Sequence, residues 1–247
     1  MEVYGGRAGY NSVCFKSERY KVISRWENGG IKTKTTRKKG KRKLFFVLSK
    51  VPFVRAFSFI FELLMEYWGY VLSVFMIVLL LQIKLFESFK SYSIPISPLV
   101  LLLVLLLISG LFIKVTPIGK YHAAEHMVAR AYEIDGGDLS IEKVRQHSRI
   151  HKNCGTNLVT SILIFYICCF FIIGDGIWVL LVSWGIGYEL WKSEPKGIWN
   201  IMLVIGGILQ YYLFTSKPDD RHLLVAIEAM RVMEEQESNS GKNKGRQ

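Results

Sequence analysis

The sequence predicts an all-α polytopic membrane protein with four transmembrane helices, five if a short late stretch also crosses, and a cytoplasmic helical loop carrying histidines and a cysteine. Three observations predict it. Of the 247 residues 51% are hydrophobic, and mean hydropathy is positive. The apolar residues are gathered into runs of membrane-helix length. The net charge of +12 is gathered too: the first 55 residues hold fifteen Lys/Arg against three acids, which leaves the remainder neutral. This segregation excludes an ordinary soluble domain, a disordered tail and a disulfide-stapled secreted fold.

Residues 1–55 read as a basic cytoplasmic arm. Positions 32–43, KTKTTRKKGKRK, are basic at eight of twelve places. One reading makes the run a positive-inside determinant and nothing more. Another makes it adhere to anionic lipid headgroups, at roughly 1 kcal/mol per Lys/Arg near the surface, with the aromatic-rich stretch 44–68 lying in the interface as an amphipathic helix. A protein partner or the ribosome is a third. Specific nucleic-acid binding is disfavoured, because no RNA-binding fold accompanies the run and charge alone does not separate phosphate from lipid.

Crossing about 30 Å of hydrocarbon takes roughly 20 apolar residues in a helix. Residues 56–115 supply a first helix pair, Gly69–Phe86 and Ile94–Val115, the second uncharged until Lys114. Residues 158–214 supply a hairpin, Leu158–Ile173 and Ile177–Trp191, joined by the turn Gly174-Asp175-Gly176. The seventeen-residue stretch Ile198–Phe214 follows, with Asn200, Gly206-Gly207 and Gln210 inside it, and either spans or is re-entrant. Residues 215–247 form a C-terminal amphipathic helix and polar tail. Lys/Arg placement puts the arm, residues 116–157 and the C-terminus on the cytoplasmic side of the cell membrane. No cleavable signal peptide is expected, because the first apolar run begins beyond residue 40.

The chemistry concentrates in the cytoplasmic segment 116–157, which holds four of the five histidines. His122 and His126 stand four apart in a stretch of good helix formers, so both imidazoles leave one helical face. With Glu125 they make the order H-x-x-E-H of inverted zinc peptidases, in which two histidines bind the metal and the glutamate activates water. The bland alternative is a surface helix with polar histidines. Further on, His147 and His151 are again four apart, and His151-x-x-Cys154 has ligand-like spacing. A site combining His122, His126, His151 and Cys154 would suit zinc. Four protein ligands would close it, whereas catalysis needs an open position, so full ligation favours a structural role. Glu189 is a membrane-boundary acid that could be a more distant ligand, a proton relay or the partner of a basic residue, or could simply face water, and Asp219 or Asp220 reads as a helix N-cap. Arg149 could pair with these acids. Cys14, Cys154, Cys168 and Cys169 form no C-x-x-C pair, and structural disulfides are not expected.

These blocks resemble those of a known family. Tyr121-His122-Ala123-Ala124-Glu125-His126, Ser148-Arg149-Ile150-His151-Lys152-Asn153-Cys154-Gly155-Thr156, Tyr188-Glu189 and Lys217-Pro218-Asp219-Asp220 are similar to the signatures of the YqhQ family, bacterial membrane proteins grouped as a domain of unknown function. Gly5-Gly6-Arg7-Ala8 and Val51-Pro52-Phe53-Val54-Arg55 resemble its opening blocks. Met127 stands where a lysine is usual, and Lys152-Asn153 where Pro-Arg is usual. The resemblance implies a metal-dependent enzyme and names no reaction.

Two functions are therefore expected. One is a zinc-type, metal-dependent membrane hydrolase at the cytoplasmic face, with His122, His126 and His151 or Cys154 holding a divalent metal and Glu125 as general base. The other is a non-enzymatic scaffold or assembly factor with a structural metal site and a basic arm that binds anionic lipid or the ribosome. Transport is disfavoured, because the spans carry no paired ionisable residues.

Overall fold

The computed structural model describes residues 5–38, 47–69, 71–73, 76, 98–174 and 176–244. Most of the first expected span lies outside the described residues, as do Asp175 and residues 39–46 of the basic run.

The all-α expectation fails at the N-terminus, where the basic arm is a β-sheet. Strands β1 (Gly5–Gly9), β2 (Ser12–Lys16), β3 (Tyr20–Glu27) and β4 (Gly30–Arg37) form an antiparallel meander in the order β1-β2-β3-β4. The chain reverses between β3 and β4 at Asn28-Gly29, both at positive φ (51° and 80°), with Glu27 opposite Gly30. That is the hairpin turn whose twist matches two right-twisted strands, and Asn-Gly is its preferred sequence. Alternation buries Val13, Phe15, Val22 and Ser24 on one face. Charge density obscured this pattern, because the other face carries Arg7, Lys16, Lys21, Arg25, Lys32 and Lys34.

Two helices cover the apolar face. Helix α3 (Pro117–Asp135) begins with Pro at a position that has no N–H to lose and ends at Gly136 in the left-handed conformation. Helix α8 (Asp220–Lys244) lies against α3 and the sheet. Tyr121, Ala124, Val128 and Ala131 of α3 meet Leu223, Ala226, Ala229, Met230 and Met233 of α8 and the three apolar strand residues in one core. The C-terminal half of α8 is tied to the β2–β3 turn: Glu237 accepts from Ser17 Oγ at 2.6 Å and from Arg19 Nε at 2.8 Å. A short helix α4 (Ile141–Val144), capped by Ser140, adds Val144 to the core.

The remaining helices are α1 (Val54–Glu66), α2 (Pro98–Val115), α5 (Gly155–Ile173), α6 (Ile177–Ser193) and α7 (Ile198–Leu209), which runs on as a wide π-turn over Gln210–Phe214. The count of four or five clear spans is also corrected. Among the described residues one helix, α5, is long and apolar enough to cross a membrane by itself, and up to three spans result if each bent helix pair counts as one. The pair α2 and α3 bends by 82° where Pro117 ends the hydrogen-bond ladder. Gly119 sits in that corner, where a Cβ would lie 2.6 Å from the Ile113 carbonyl oxygen. Lys114 Nζ donates to the carbonyls of Tyr211 and Thr215 at 3.0 and 3.1 Å, joining the end of α2 to the end of the π-turn.

The chain divides into two compact units. The sheet, α3, α4, α7 and α8 belong to the first, with the end of α2 and the start of α5; α1, α6 and residues 161–173 belong to the second. In the second unit, α6 crosses α5 closely at Gly187, where a Cβ would stand 2.7 Å from the Ile162 backbone. Arg55 forks onto Glu189, its Nε 2.9 Å from Oε1 and its Nη2 in contact with Oε2, and the Phe53 N–H donates to Oε1 at 2.8 Å. Trp184 Nε1 donates to the Ala56 carbonyl at 3.0 Å. Glu189 thus holds α1 against α6, with Arg55 as its counter-charge.

Candidate metal centre

Helix α3 presents His122 and His126 one turn apart on the face turned away from the core, their rings 4.3 Å apart. Each imidazole is fixed through Nδ1. His122 Nδ1 donates to the Phe214 carbonyl at 2.8 Å and His126 Nδ1 to the Arg149 carbonyl at 2.7 Å. A carbonyl oxygen can only accept, so each Nδ1 carries the proton and each Nε2 keeps its lone pair. This outer-shell arrangement orients metal-binding histidines in general. Phe214 can accept because it ends the π-turn, where carbonyls lack an intrahelical donor, and the residue four positions on, Pro218, has no N–H.

Cys154, immediately before α5, completes the group. Its Sγ accepts the Thr156 N–H at 3.5 Å, lies 3.3 Å from Thr156 Oγ1, and is 3.5 Å from His122 Nε2. The ligand atoms of His122, His126 and Cys154 all lie within 4.8 Å of one another. Tetrahedral zinc with Zn–S near 2.3 Å and Zn–N near 2.0–2.1 Å holds its donors about 3.3–3.6 Å apart. The His122–Cys154 separation already fits; closure by about 1 Å would bring in the widest pair.

The structure brings three of the four expected ligands together. His151 stands beside them, its ring 5.7 Å from that of His126, but its Nε2 faces Glu133 Oε1 at 3.4 Å and its Nδ1 accepts the Asn153 N–H at 3.3 Å. Burial and the neighbouring His126 push its pKa down, against the pull of Glu133. The loop that carries it is clamped from α7. Gln210 Oε1 accepts the His151 N–H at 2.9 Å, Gln210 Nε2 donates to Asn157 Oδ1 at 3.1 Å, and Asn157 Nδ2 donates to the Lys152 carbonyl at 2.7 Å. Gly206 leaves room for this: a Cβ there would overlap Asn157 Oδ1. Gly206 and Gln210, two of the residues that made 198–214 look like a poor span, therefore build the floor of the site.

Glu125 is buried, with Oε2 3.6 Å from His126 Nε2. Burial pushes its carboxyl up to about 7, against the opposing pull of His122. The first strand supplies its seat, because a Cβ at Gly6 would overlap Glu125 Oε1. Nothing in the H-x-x-E-H spacing points to Gly6; the paired glycines of the opening block were the available signal.

The remaining residues singled out in the sequence serve structure. His147 Nε2 pairs with Asp135 at 2.7 Å. Arg149 stacks on Tyr211, 3.9 Å from the ring centre, so it does not serve the acids assigned to it. Asp219 pairs with Lys120 at 2.9 Å and Asp220 contacts Arg145, tying the start of α8 to α3 and to the end of α4.

The model of one family, proteins of unknown function (DUF1385), matches residues 56–236. The chain belongs to this family. No curated protein and no solved structure matches it. The DUF1385 match includes every residue of the His/Cys group and Glu125, while the sheet, with Gly6, lies ahead of it.

Proposed function

We propose that the protein is a metal-dependent, zinc-type enzyme of the membrane, a hydrolase working at the cytoplasmic membrane face, and that within DUF1385 it is a YqhQ protein. The observation that carries this reading is the convergence of His122, His126 and Cys154, with His122 Nε2 beside Cys154 Sγ and both imidazoles held through Nδ1 by carbonyls. The donor set fits a borderline-soft divalent ion, and three protein donors leave a position open, the arrangement of catalytic rather than structural zinc. A bound ion would supply Lewis-acid activation of water and of a substrate oxygen.

The residues of the chain do the rest. The Phe214 and Arg149 carbonyls hold the two rings in the tautomer that leaves Nε2 basic. Glu125, next to His126 and excluded from water, is placed to take a proton from an attacking water and to return it to the leaving group. The Gly6 backbone keeps its carboxyl from turning away. Gln210 and Asn157 keep the 151–154 loop at the mouth of the site. A Lys/Arg-rich segment around the site supports its assignment to the cytoplasmic side, and the apolar α5 supports insertion in the membrane.

Element analysis of protein purified without added metal tests the reading. About one equivalent of zinc per chain is expected, lost in His122→Ala and Cys154→Ala and retained in Glu125→Gln. Cobalt exchanged into the site should show sulfur-to-cobalt charge transfer that Cys154→Ser abolishes. Metal-free protein that neither gains stability from zinc nor binds cobalt would overturn it. A structural site predicts that Glu125→Gln is silent in any function while Cys154→Ala unfolds the sheet unit.

A further inference from the structure

Among the described residues of the first unit, Arg149 is a cation without an anion. Its half-buried guanidinium lies over the Tyr211 ring, 3.9 Å from the ring centre. Its Nε is buried with no acceptor, and no carboxylate of the described residues pairs with it. Buried donors in folded proteins are nearly always answered, and an enclosed charge without a counter-charge is costlier still. A second cation stands at the same tyrosine. Half-buried Lys114 donates through Nζ to the Tyr211 and Thr215 carbonyls at 3.0 and 3.1 Å, which leaves one of its three N–H groups over. The two charges are near enough to act on each other. Exposed cations of the same unit are treated differently: Lys143 has Asp138, Arg145 has Asp220 and Arg231 has Glu228. The two more enclosed cations are the ones left without an acid.

The two groups come from distant parts of the chain, Lys114 from the last turn of α2 and Arg149 from the loop between α4 and α5, and both are seated on the π-turn. Their ligand is defined by two requirements. A single negative charge would leave one cation unanswered, so the ligand carries about −2. It also needs acceptors in more than two directions, because a planar guanidinium and a point-like ammonium reach it from different segments. A carboxylate fails both requirements, since its two coplanar oxygens are satisfied by one guanidinium fork. A phosphate monoester carries about −1.5 to −2 at neutral pH and three free oxygens.

We propose that Arg149 and Lys114, on the Tyr211 platform, bind the phosphate group of a phosphate monoester. Inorganic phosphate and the headgroup of phosphatidic acid offer this same chemistry. The inference goes beyond the metal reading and does not rest on it, since neither cation belongs to the His/Cys group. Arg149 holds His126 through its main-chain carbonyl, so a change of the Arg149 side chain leaves that hydrogen bond in place.

The test uses the full chain as purified, in phosphorus-free maltoside micelles, and titration calorimetry with inorganic phosphate at about pH 7.5, above the second phosphate pKa of about 6. Phosphate should bind, and acetate at the same ionic strength should bind at least about tenfold more weakly. Arg149→Gln should weaken phosphate binding at least about tenfold, with the melt and the metal content of the wild type. Arg149→Lys keeps the charge but loses the fork and the stack, should weaken binding about threefold, and carries the test if the Gln variant melts early. Short-chain phosphatidic acid, set against phosphatidylglycerol of the same chain length, separates the sources. Phosphatidic acid bound at least about tenfold more tightly than inorganic phosphate and than phosphatidylglycerol identifies a lipid headgroup, and equal affinity for phosphatidic acid and inorganic phosphate a soluble monoester. No phosphate binding by the wild type, acetate bound as tightly as phosphate, or Arg149→Gln protein with a wild-type melt and unchanged phosphate affinity would each overturn the proposal. Phosphate binding in protein that holds no metal would leave it standing and count against the metal reading alone.

Discussion

Two carboxylates, one in each compact unit, Glu125 buried and Glu189 half-buried, are treated in opposite ways. Glu189 meets a guanidinium that forks onto both its oxygens and a backbone N–H as well, so its charge is fully answered and it holds two helices together. Glu125 is more completely enclosed, yet its charged neighbour is a histidine at 3.6 Å and its seat is a glycine. A carboxylate given a permanent cation is structural; one placed in an apolar seat beside a row of imidazoles is kept available for protons. Sequence alone made Glu125 the general base and left Glu189 a boundary acid open to three roles, ligand, proton relay or partner of a basic residue. Their partners separate them.

The largest effect that would break this contrast is in the second unit. Arg55→Ala leaves the half-buried Glu189 without its cation and should cost about 2–3 kcal/mol, read by denaturant melts in detergent, with the charge-swapped pair Arg55→Glu/Glu189→Arg recovering part of the loss. Gly6→Ala comes next. The added methyl must displace the Glu125 carboxyl, at about 1–3 kcal/mol, while zinc content stays at the wild-type level. Glu125→Gln removes a charge that burial disfavours, so stability should change by less than about 1 kcal/mol or rise slightly, with zinc again retained and the activity gone. If Glu125→Gln destabilises as much as Arg55→Ala does, Glu125 is a structural acid and the contrast fails.

A third carboxylate gives the smallest effect and a pH signature. Burial raises the pKa of Glu237, but the Ser17 hydroxyl and the Arg19 N–H and guanidinium outweigh it, and the net position is below the usual glutamate range. A folded-state pKa below the unfolded one means that the group stabilises at pH above the unfolded value and that this contribution fades as pH falls through the folded value. Glu237→Gln should therefore cost about 1 kcal/mol near neutrality and flatten the acid side of the stability profile below about pH 4.5. An unchanged acid limb would mean that α8 is not held to the β2–β3 turn by this carboxylate.

Much of the site was legible because it is local. The i,i+4 spacing of His122 and His126, the place of Glu125 beside His126 on the same helix and the proximity of Cys154 to a helix start all follow from residues within a turn or two. What sequence could not supply is what reaches across the chain: the Phe214 carbonyl, the Gln210–Asn157 clamp, and Gly6 under Glu125. His151 shows the reverse limit, since its spacing to Cys154 looked like a ligand pair and Glu133 faces it instead. In the fold, the sheet carried its own signals, Asn28-Gly29 between two alternating stretches and Thr-rich β4. They were overridden because a run of Lys and Arg resembles a solvated arm, and a half-exposed strand with cations on its open face has that same composition. The helix ends were better marked, by Pro117 and Gly136.

The π-turn at Gln210–Phe214 imposes a constraint of a different kind. Its value to the site lies in the number of residues it contains, since one residue fewer would return the segment to ordinary winding and turn the Phe214 carbonyl by about 100° around the helix axis, away from His122. Side chains there can vary where they face outward, as Tyr212 does. Length cannot. Across natural variants of this protein, substitutions should accumulate in this stretch while insertions and deletions are absent from it, a pattern that reads as tolerance by residue and as strict conservation by alignment gap.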